Sequence, residues 1–344
     1  MQSPPRRVVV LGTGGTIAGW AATPTETLAY RSAQLGVAEL VAAAPSTADT
    51  VVESEQVAQL DSKDMDFATW RRLALRVAHH LARPEVAGVV VTHGTDTLEE
   101  TAWFLARVVD ATKPVVLTAA MRPASALDAD GPGNLADAIS LAGRAGHPGV
   151  VVTLAGAVHG ARDVRKAHPQ RPDAFTSGDA GPLARHDGTQ WQWLRDAAAG
   201  PPSTGVDLLP EDESAWPWVE VVTSDAGADG RVVDLLAGAG VDGIVVAATG
   251  NGSTHRLIAA ALARAQASGV VVRRSSRCVE GAIVETGNDG LPTAGGLSPV
   301  KARIELMLHL LCAGRPARSA ERQQESGRGP RIAAFPPNDQ GPAS

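Results

Sequence analysis

Long apolar runs and cysteines are both scarce in this chain of 344 residues. No apolar stretch approaches the roughly 20 residues that a transmembrane helix needs, so we expect no membrane span. The two cysteines, Cys278 and Cys312, are too few for a disulfide framework and indicate a reducing compartment. The segment Met1–Leu11 has too few apolar residues for a signal peptide. Together these absences predict a cytoplasmic protein.

Positive charge is limited as well. The formal net charge of −6 argues against general binding to nucleic acid or anionic membranes, because both need clustered positive charge. Arginine does not lose its proton at working pH, so lysines are the only side chains of that sign available as a base. The four lysines are Lys63, Lys113, Lys166 and Lys301. The remaining composition, with 44% hydrophobic and 20% charged residues, suits a soluble globular chain of about two domains.

Short apolar runs alternate with helical patterns along the first half of the chain. This alternation predicts βαβ units and a parallel sheet, and hence an α/β fold. The predicted strands are Val8–Leu11, Gly88–Thr92, Pro114–Ala119 and Gly149–Leu154, and the predicted helices are Asp64–Ala82 and Leu98–Asp110. We expect residues 1–195 to form a larger N-terminal catalytic domain with a parallel, flavodoxin-like or Rossmann-like sheet.

The segment Asp196–Trp218 is rich in Pro, Gly, Ala and acidic residues, which is typical of a linker. The α/β pattern then restarts, so residues 219–313 are predicted to form a smaller C-terminal α/β domain. Its predicted elements are Trp218–Thr223, Arg231–Ala239, Gly243–Ala248, Thr254–Ser268, Val270–Arg274 and Pro299–Cys312. Residues 314–344 have little apolar content and predict a disordered tail.

A glycine-rich turn, Gly12–Gly19, follows the first predicted strand and contains one hydroxyl, Thr16. Ligands of open α/β sheets bind at the carboxyl ends of the strands. Such a turn either cradles a phosphate or presents Thr16 as a nucleophile. A dinucleotide site is disfavoured, because Ile17 stands where the third glycine of that fingerprint belongs and no acidic residue ends a second strand about 20 residues later.

A second polar turn follows the predicted strand Gly88–Thr92 and carries Thr95 and Asp96. Both residues then fall at the same edge of the sheet as Thr16. Each of them could instead cap the helix that follows. Two hydroxyl-bearing turns at one edge shift the interpretation from capping toward a site. His93, in the same turn, is interpreted as structural rather than as a general base.

Three further residues are open to two interpretations. Asp61 and Ser62 precede a helix and could simply cap it. Lys166 is a solvated surface charge unless it is held near a threonine and desolvated, in which case it can serve as a general base. A protein that only binds a small molecule needs neither Lys166 nor Thr16, so the presence of both favours an enzyme.

The sequence lacks the motifs of three other common catalytic systems. The chain has no Gly-x-Ser-x-Gly elbow, no His-Glu-x-x-His motif and no cysteine pair at zinc spacing. We therefore expect no metal.

A series of motifs, in order from about Val8 to about Leu311, resembles the bacterial L-asparaginase family. The matching segments are Gly14–Gly19, Tyr30, Asp61–Ser62, His93–Thr97, Glu99–Ala102, Ala120–Pro123, Asp130–Pro132, Gly160–Lys166, Gly181–Leu183, Asp242–Val245, Gly250–Gly252 and Arg274–Arg277. The resemblance implies hydrolysis of L-asparagine to L-aspartate and ammonia without metal or cofactor. A glutaminase-asparaginase with substantial activity on glutamine is the alternative.

The resemblance also implies which residues do the chemistry. Thr16 would attack the side-chain amide carbon and form a β-aspartyl ester. Tyr30, on a mobile lid formed by Ala18–Ser32, would hydrogen-bond to Thr16. Thr95 would be a second threonine, hydrogen-bonded by Lys166.

Substrate binding follows the same resemblance. Asp96 would hold the α-ammonium group, and Ser62 the α-carboxylate, with Asp61 beside it as in the cytosolic branch of the family. The backbone N–H groups of Thr95 and Ala120 would form the oxyanion hole. Loss of one such donor typically slows an enzyme on the order of 100- to 1,000-fold.

Three positions depart from the family pattern. Lys63 stands where periplasmic members carry a glutamine that contacts substrate. Ser253 follows Gly250–Gly252, where some members have an asparagine that a neighbouring subunit contributes. Glu280–Pro292 is shorter than usual, so Glu285 is the candidate for the intersubunit glutamate. The resemblance thus implies a homo-oligomer, a dimer or tetramer, whose site a neighbouring subunit completes, with no nucleic-acid or membrane partner.

Overall fold

The computed structural model describes residues 6–45, 50–144, 146–147, 149–197, 201–285 and 291–314. Its strands in chain order are β1 (Arg6–Gly14), β2 (Trp20–Ala21), β3 (Tyr30–Arg31), β4 (Thr50–Leu60), β5 (Val86–Thr92), β6 (Pro114–Thr118), β7 (Gly149–Leu154), β8 (Ala157–Gly160), β9 (Arg165–Lys166), β10 (Phe175–Thr176), β11 (Ala184–His186), β12 (Trp191–Trp193), β13 (Val219–Thr223), β14 (Gly243–Ala248) and β15 (Val271–Ser276). The helices are α1 (Val37–Ala43), α2 (Phe67–Leu81), α3 (Leu98–Val108), α4 (Gly131–Ala142), α5 (Arg231–Ala239), α6 (Arg256–Ala267) and α7 (Pro299–Cys312).

Eight strands form one large sheet in the order β12-β11-β8-β7-β6-β5-β1-β4. The five strands from β7 to β4 pair in parallel, which confirms the predicted parallel sheet in its central part. The chain order along these strands reverses between β1 and β5, as in a flavodoxin-like sheet. Ligands of such sheets bind outside the carboxyl ends of the strands at this reversal. The fold therefore marks one place on its surface for a site.

Three short antiparallel strands, β8, β11 and β12, extend this sheet and make it mixed rather than purely parallel. The turn between β7 and β8 is Ala155–Gly156, and both residues have positive φ angles, +48° and +68°. That backbone geometry matches a tight two-residue hairpin. Strands of three or four residues show too little periodicity to be predicted from a sequence.

Helices cover both faces of the large sheet, and β1 shows how the sequence achieves this. Val9 and Leu11 pack in one apolar cluster with residues of α2 and α3, whereas Val8 and Val10 pack in a second cluster with residues of α1 and α4. Successive residues of a strand point to opposite faces, so an unbroken apolar run suits a strand that is buried on both sides. The central strands are consequently rigid supports for the turns at their ends.

The start of α2 differs from its prediction. The predicted helix Asp64–Ala82 begins at Phe67, because the Asp66 carboxylate accepts a hydrogen bond at 2.7 Å from the Thr69 amide and caps the helix there. The preceding residues Ser62–Asp64 form a separate 3₁₀ turn. The helix α4 has no counterpart among the predicted elements.

The smaller C-terminal α/β domain has a parallel sheet in the order β13-β14-β15, as expected. Its last helix, α7, packs against α3 of the larger domain, and Arg107 forms an ion pair with Glu305 at 2.8 Å across that contact. Apolar residues of the two helices, among them Phe104 and Leu308, belong to one buried cluster.

The predicted domain limits and the linker Asp196–Trp218 stay predictions. The predicted tail, apart from Gly314, lies outside the described residues. Within the part of the chain that the structure describes, no helix is long and apolar enough to cross a membrane.

Candidate active site

Thr16 and Thr95 lie at the ends of the neighbouring strands β1 and β5, at the reversal of the sheet. The two turns touch through glycines. A Cβ atom on Gly15, whose φ is +81°, would lie 2.3 Å from the Cα atom of Gly94. A Cβ atom on Gly94 would lie 2.5 Å from the Ser62 hydroxyl. Glycine at these two positions thus lets three polar turns converge.

A cavity of about 340 Å³ opens at this point. Seven of the residues singled out from the sequence line it together, namely Thr16, Tyr30, Asp61, Ser62, Thr95, Asp96 and Lys166. Thr27 and Leu28 of the lid, Met121, Arg122, Pro169 and Gln170 supply the rest of the wall. Groups that are far apart in sequence therefore face one space.

Thr16 is buried, and its Oγ1 lies 2.7 Å from the hydroxyl oxygen of Tyr30. Tyr30 is the only tyrosine of the chain. It belongs to β3, which pairs with β2 to form a small hairpin. A Cβ atom on Gly19 would lie 2.8 Å from the Tyr30 ring, so the hairpin packs closely over the turn. The predicted lid, Ala18–Ser32, is thus closed over Thr16 in this structure.

The lid is attached to the segment that follows Arg122. The Ala124 amide donates to the Gly19 carbonyl at 2.9 Å, and the Ser125 hydroxyl accepts from the Ala21 amide at 2.8 Å. These few bonds hold a loop whose own strands are only two residues long. Few bonds and little buried apolar surface are typical of a segment that opens locally.

Thr95 and Asp96 share one partner, Lys166. The Lys166 ammonium donates to Thr95 Oγ1 at 2.9 Å and to Asp96 Oδ1 at 2.6 Å. The Asp96 amide donates to the Ser62 hydroxyl at 3.2 Å. Thr97, rather than Thr95 or Asp96, is the residue at the cap position of α3, so the capping interpretation is wrong for both.

Lys166 is not a solvated surface charge, because only 17% of its side chain is exposed. Its strand, β9, pairs with β10, where Phe175 lies opposite Lys166. The Lys166 amide also donates to the Glu99 carboxylate at 3.2 Å. Glu99 was not among the predicted site residues, because its sequence position marks only an acidic start of α3.

Asp61 lines the cavity, and its carboxylate accepts a hydrogen bond from the Lys63 amide at the start of the 3₁₀ turn. The Lys63 ammonium instead bonds to Asp64 at 2.6 Å and lies 3.6 Å from Asp61. Its side chain is 61% exposed and does not line the cavity. The Lys63 side chain is therefore directed to solvent and not into this cavity.

The turn that carries Ala120 is held by two residues that the sequence analysis did not assign to the site. The Asp130 carboxylate accepts from the amides of Met121 at 3.0 Å and Arg122 at 2.9 Å. The Asn134 side chain donates to the Ala119 carbonyl at 2.9 Å. Both lie at the start of α4, and a motif that continues from Ala120–Pro123 to Asp130–Pro132 was the available signal.

The backbone N–H groups of Thr95 and Ala120 are the predicted oxyanion donors. Among the residues that the structure describes, no protein group accepts a hydrogen bond from either of them. Buried N–H groups are rarely left without an acceptor. Thr95 lines the cavity, whereas Ala120 does not and only precedes the lining residue Met121, so the two N–H groups stay predicted oxyanion donors.

His93 forms hydrogen bonds that hold the turn that carries Thr95. Its Nδ1 lies 2.7 Å from the Gly94 carbonyl, and its Nε2 lies 2.9 Å from the Thr101 hydroxyl, which accepts in turn from the Trp70 indole. A carbonyl only accepts, so Nδ1 carries the proton and Nε2 accepts from Thr101. Complete burial lowers the pKa of His93 to about 4, so the ring is neutral at pH 7. This agrees with a structural role.

Ser253 and Glu285 do not line the cavity of their own chain. Ser253 is exposed in the turn after β14, where its carbonyl accepts from Thr249. The Glu285 carboxylate accepts from the Thr293 hydroxyl at 2.5 Å. Residues 286–290 of the shortened segment lie outside the described residues.

The fold and the site define an α/β enzyme in which two hydroxyls, an ammonium and carboxylates converge at the reversal of a doubly wound sheet. Within the described ranges, no group of three or more His, Cys, Asp or Glu side chains could hold a metal ion. Comparison with known proteins assigns the family.

The family model for the N-terminal part of asparaginase matches residues 7–199, and that for the glutaminase/asparaginase C-terminal domain matches residues 218–321. L-asparaginase 2 of Escherichia coli (strain K12) is 37% identical over 312 residues, which cover 88% of each chain. L-asparaginase 2 of Bacillus subtilis (strain 168) is 43% identical over 175 residues, 50% of this chain and 47% of that protein. The crystal structure of a probable cytoplasmic L-asparaginase from Campylobacter jejuni has a TM-score of 0.83 and 35% identity, covering 93% of this chain and 98% of that one.

The chain belongs to the asparaginase family. It is an amidohydrolase that acts on a small amino-acid substrate.

Proposed function

We propose that this amidohydrolase hydrolyses L-asparagine to L-aspartate and ammonia, with Thr16 as the nucleophile. One observation carries the proposal. Two buried threonine hydroxyls face one cavity, and each has its own partner that can move a proton, Tyr30 at 2.7 Å from Thr16 and Lys166 at 2.9 Å from Thr95. Amide hydrolysis needs two proton transfers, one to the leaving nitrogen and one from water. The site offers a separate pair of side chains for each transfer, Thr16 with Tyr30 and Thr95 with Lys166.

Asp96 and Ser62 hold the two charged ends of the substrate in this proposal. The Asp96 carboxylate is about half exposed and bonds to Lys166 through one oxygen, Oδ1. The other oxygen is available for the α-ammonium group, and charge-assisted bonds of this kind are strong. The Ser62 hydroxyl lies 3.2 Å from the Asp96 amide, which places an α-carboxylate donor next to the ammonium acceptor. Asp61 forms the adjacent wall.

The first chemical step forms an ester. The Thr16 oxygen attacks the side-chain carbonyl carbon. The N–H groups of Thr95 and Ala120 donate hydrogen bonds to the carbonyl oxygen and stabilise the negative charge that develops on it. The carbon–nitrogen bond breaks as the Thr16 proton, passed on through the Tyr30 hydroxyl, reaches the nitrogen. Ammonia leaves, and the acyl group stays on Thr16.

Water completes the reaction in the second step. The Thr95 hydroxyl and Lys166 orient a water molecule, and the Lys166 amine removes its proton as the water oxygen attacks the ester carbon. The bond to Thr16 breaks, and the proton that Lys166 took from water passes to the Thr16 oxygen. L-Aspartate is released with one more oxygen than the substrate's acyl group had.

We extend the proposal to a homotetramer in the cytoplasm. Ser253 and Glu285 lie outside the cavity of their own chain, which supports a site that a neighbouring subunit completes. A solved relative is described as a probable cytoplasmic asparaginase. Multi-angle light scattering tests the assembly, and a monomeric mass together with full activity would contradict it.

A glutaminase-asparaginase is the second candidate, and Ser253 is the residue that favours it. The C-terminal part of the chain matches a model that covers both activities. Ammonia release from asparagine and from glutamine, measured side by side, ranks the two substrates. A higher kcat/KM for glutamine would replace the main proposal by the alternative.

Thr16→Ala tests the nucleophile. We expect ammonia release from asparagine to fall by about 10,000-fold or more, because triad-type sites lose that much with their nucleophile. The matched variant Thr16→Ser keeps a hydroxyl and should keep measurable turnover. Calorimetric binding of L-aspartate shows whether each variant is folded. Near-normal turnover by Thr16→Ala would remove Thr16 from this role.

A further inference from the structure

Lys301 is a lysine that the proposed mechanism does not use, and it is completely buried. It lies in the first turn of α7, in the smaller domain. Burial lowers its pKa to about 8, so it still carries a positive charge at pH 7. A charge in a protein interior is costly unless hydrogen bonds and nearby opposite charges compensate for it. We therefore expect the buried amine of Lys301 to have a specific role at this position.

The partners of Lys301 are two backbone carbonyls of the larger domain. Its Nζ donates to the Arg162 carbonyl at 3.0 Å and to the Val164 carbonyl. Both belong to the loop between β8 and β9, and Val164 precedes Lys166 by two residues. The helix α7 of one domain is thus bonded directly to the loop that carries the proposed base of the other.

Within the larger domain, this loop is held by the Val164 amide, which donates to the Gly160 carbonyl at 2.9 Å, and by an ion pair between Asp163 and Arg195 at 2.8 Å. The strand of Lys166, β9, is two residues long and pairs only with β10 among the described strands. The Glu99 carboxylate accepts from the Lys166 amide on one side, and Lys301 bonds to the loop two residues earlier. Arg162 and Arg165 also bond to the smaller domain, but their bonds are exposed to solvent. Exposed contacts of this kind contribute little.

We propose that Lys301 is a positioning residue that sets where the Lys166 ammonium stands relative to Thr95. The inference rests on the proposed function, in which Lys166 and Thr95 act on the attacking water. Displacement of a catalytic group by about 1 Å can cost about 100-fold in rate. The two hydrogen bonds of the Lys301 amine restrain the loop that carries Lys166.

The first test compares Lys301→Met with Lys113→Met. Methionine keeps length and apolar bulk but loses both donated bonds. Lys113 is a matched control, because it is a half-buried lysine that donates to another carbonyl, that of Arg83, at 2.6 Å. We expect Lys301→Met to lower kcat about 10- to 100-fold with KM changed less than about threefold, and Lys113→Met to leave both unchanged. Wild-type kcat in Lys301→Met would overturn the proposal.

A double-variant cycle separates positioning from general stability. If Lys301 acts through Lys166, adding Lys301→Met to Lys166→Met lowers the residual rate no further. A loss of the same factor in both backgrounds would show that Lys301 acts elsewhere, and would overturn the proposal. Binding of L-aspartate by calorimetry gives the folded fraction by which every rate is divided.

Two further measurements keep the proposal testable if Lys301→Met folds poorly or if the proposed function fails. Lys301→Gln keeps N–H donors on a shorter, uncharged side chain, so its kcat should fall between those of wild type and Lys301→Met. Unchanged kcat in Lys301→Gln counts against the proposal. Hydrogen exchange needs no activity, and residues 160–166 should exchange faster in either variant, with residues 6–14 unaffected. Active Thr16→Ala would overturn the proposed function alone, whereas unchanged exchange would overturn the role of Lys301 alone.

Discussion

The two threonines of the site are supported in opposite ways. Thr16 lies under a hairpin of two-residue strands, and its partner is a neutral phenol, Tyr30. Thr95 lies between β5 and α3, and its partner is the charged Lys166, which Asp96 also binds. The first hydroxyl is thus covered by a short hairpin, and the second is held between two elements of the core. The difference suggests a division of labour, in which the lid side forms the ester and the fixed side handles water.

The largest loss on the fixed side is expected for Lys166→Met. Without the Lys166 amine, the attacking water loses its proton acceptor, and general base catalysis typically contributes about 100- to 10,000-fold. We expect ammonia release to fall by about 1,000-fold, with an acyl-enzyme that mass spectrometry detects on Thr16. The matched variant Lys63→Met, at a lysine outside the cavity, should keep its activity. A mild effect of Lys166→Met would reduce this residue to a structural cation.

A smaller loss is expected on the lid side for Tyr30→Phe. The phenyl ring keeps the contact with Gly19, and only the hydroxyl that lies 2.7 Å from Thr16 is removed. Other water or hydroxyl groups can relay the proton less well, so we expect kcat to fall about 10- to 100-fold. Single-turnover kinetics should show that acylation, rather than deacylation, has slowed. Slower deacylation with normal acylation would contradict the division of labour.

The smallest expected effect is on the free energy of unfolding at acid pH, through His93 in the turn that carries Thr95. Burial lowers the pKa of His93 from its ordinary value of 6.5 to about 4 in the folded chain. Between these values the unfolded chain binds a proton that the folded chain does not, so the free energy of unfolding falls as pH falls. One such group contributes about 1.4 kcal/mol per pH unit.

The variant His93→Asn isolates this contribution. Its amide can still donate to the Gly94 carbonyl, but it does not titrate. We expect urea unfolding at pH 6.5 and pH 5 to show about 2 kcal/mol less acid destabilisation than in the wild type. His159, whose pKa burial also lowers to about 4, is present in both proteins and cancels. Parallel stability curves would mean that His93 does not remain neutral in the folded chain.

Candidate site residues that follow the ends of strands could be predicted from the sequence. Thr16, Thr95 and Asp96 follow recognisable buried strands, and their common edge follows from parallel pairing. The bounds of α5, β14 and α7 equal the predicted ones, because each apolar segment has a glycine, proline or polar residue at its start.

Residues whose role depends on contacts between distant segments were not accessible. Glu99, Asp130 and Asn134 support backbone groups of the site. Glu99 and Asp130 lie in the quoted motifs, but the sequence does not show which distant backbone groups they contact. Lys301 bonds to carbonyls 137 and 139 residues away. The helix α4 was missed because it begins with Gly131-Pro132-Gly133, which is typical of a turn, although proline is well tolerated in a first helical turn.

The single tyrosine of the chain gives the lid a natural spectroscopic label. Protein grown with 3-fluorotyrosine carries fluorine at one position, Tyr30, beside the hydroxyl of Thr16. Its ¹⁹F resonance then reports lid closure in the full-length enzyme without any engineered cysteine. Line shapes recorded with and without L-aspartate would give the populations of open and closed lid, and their rate of exchange, from one atom.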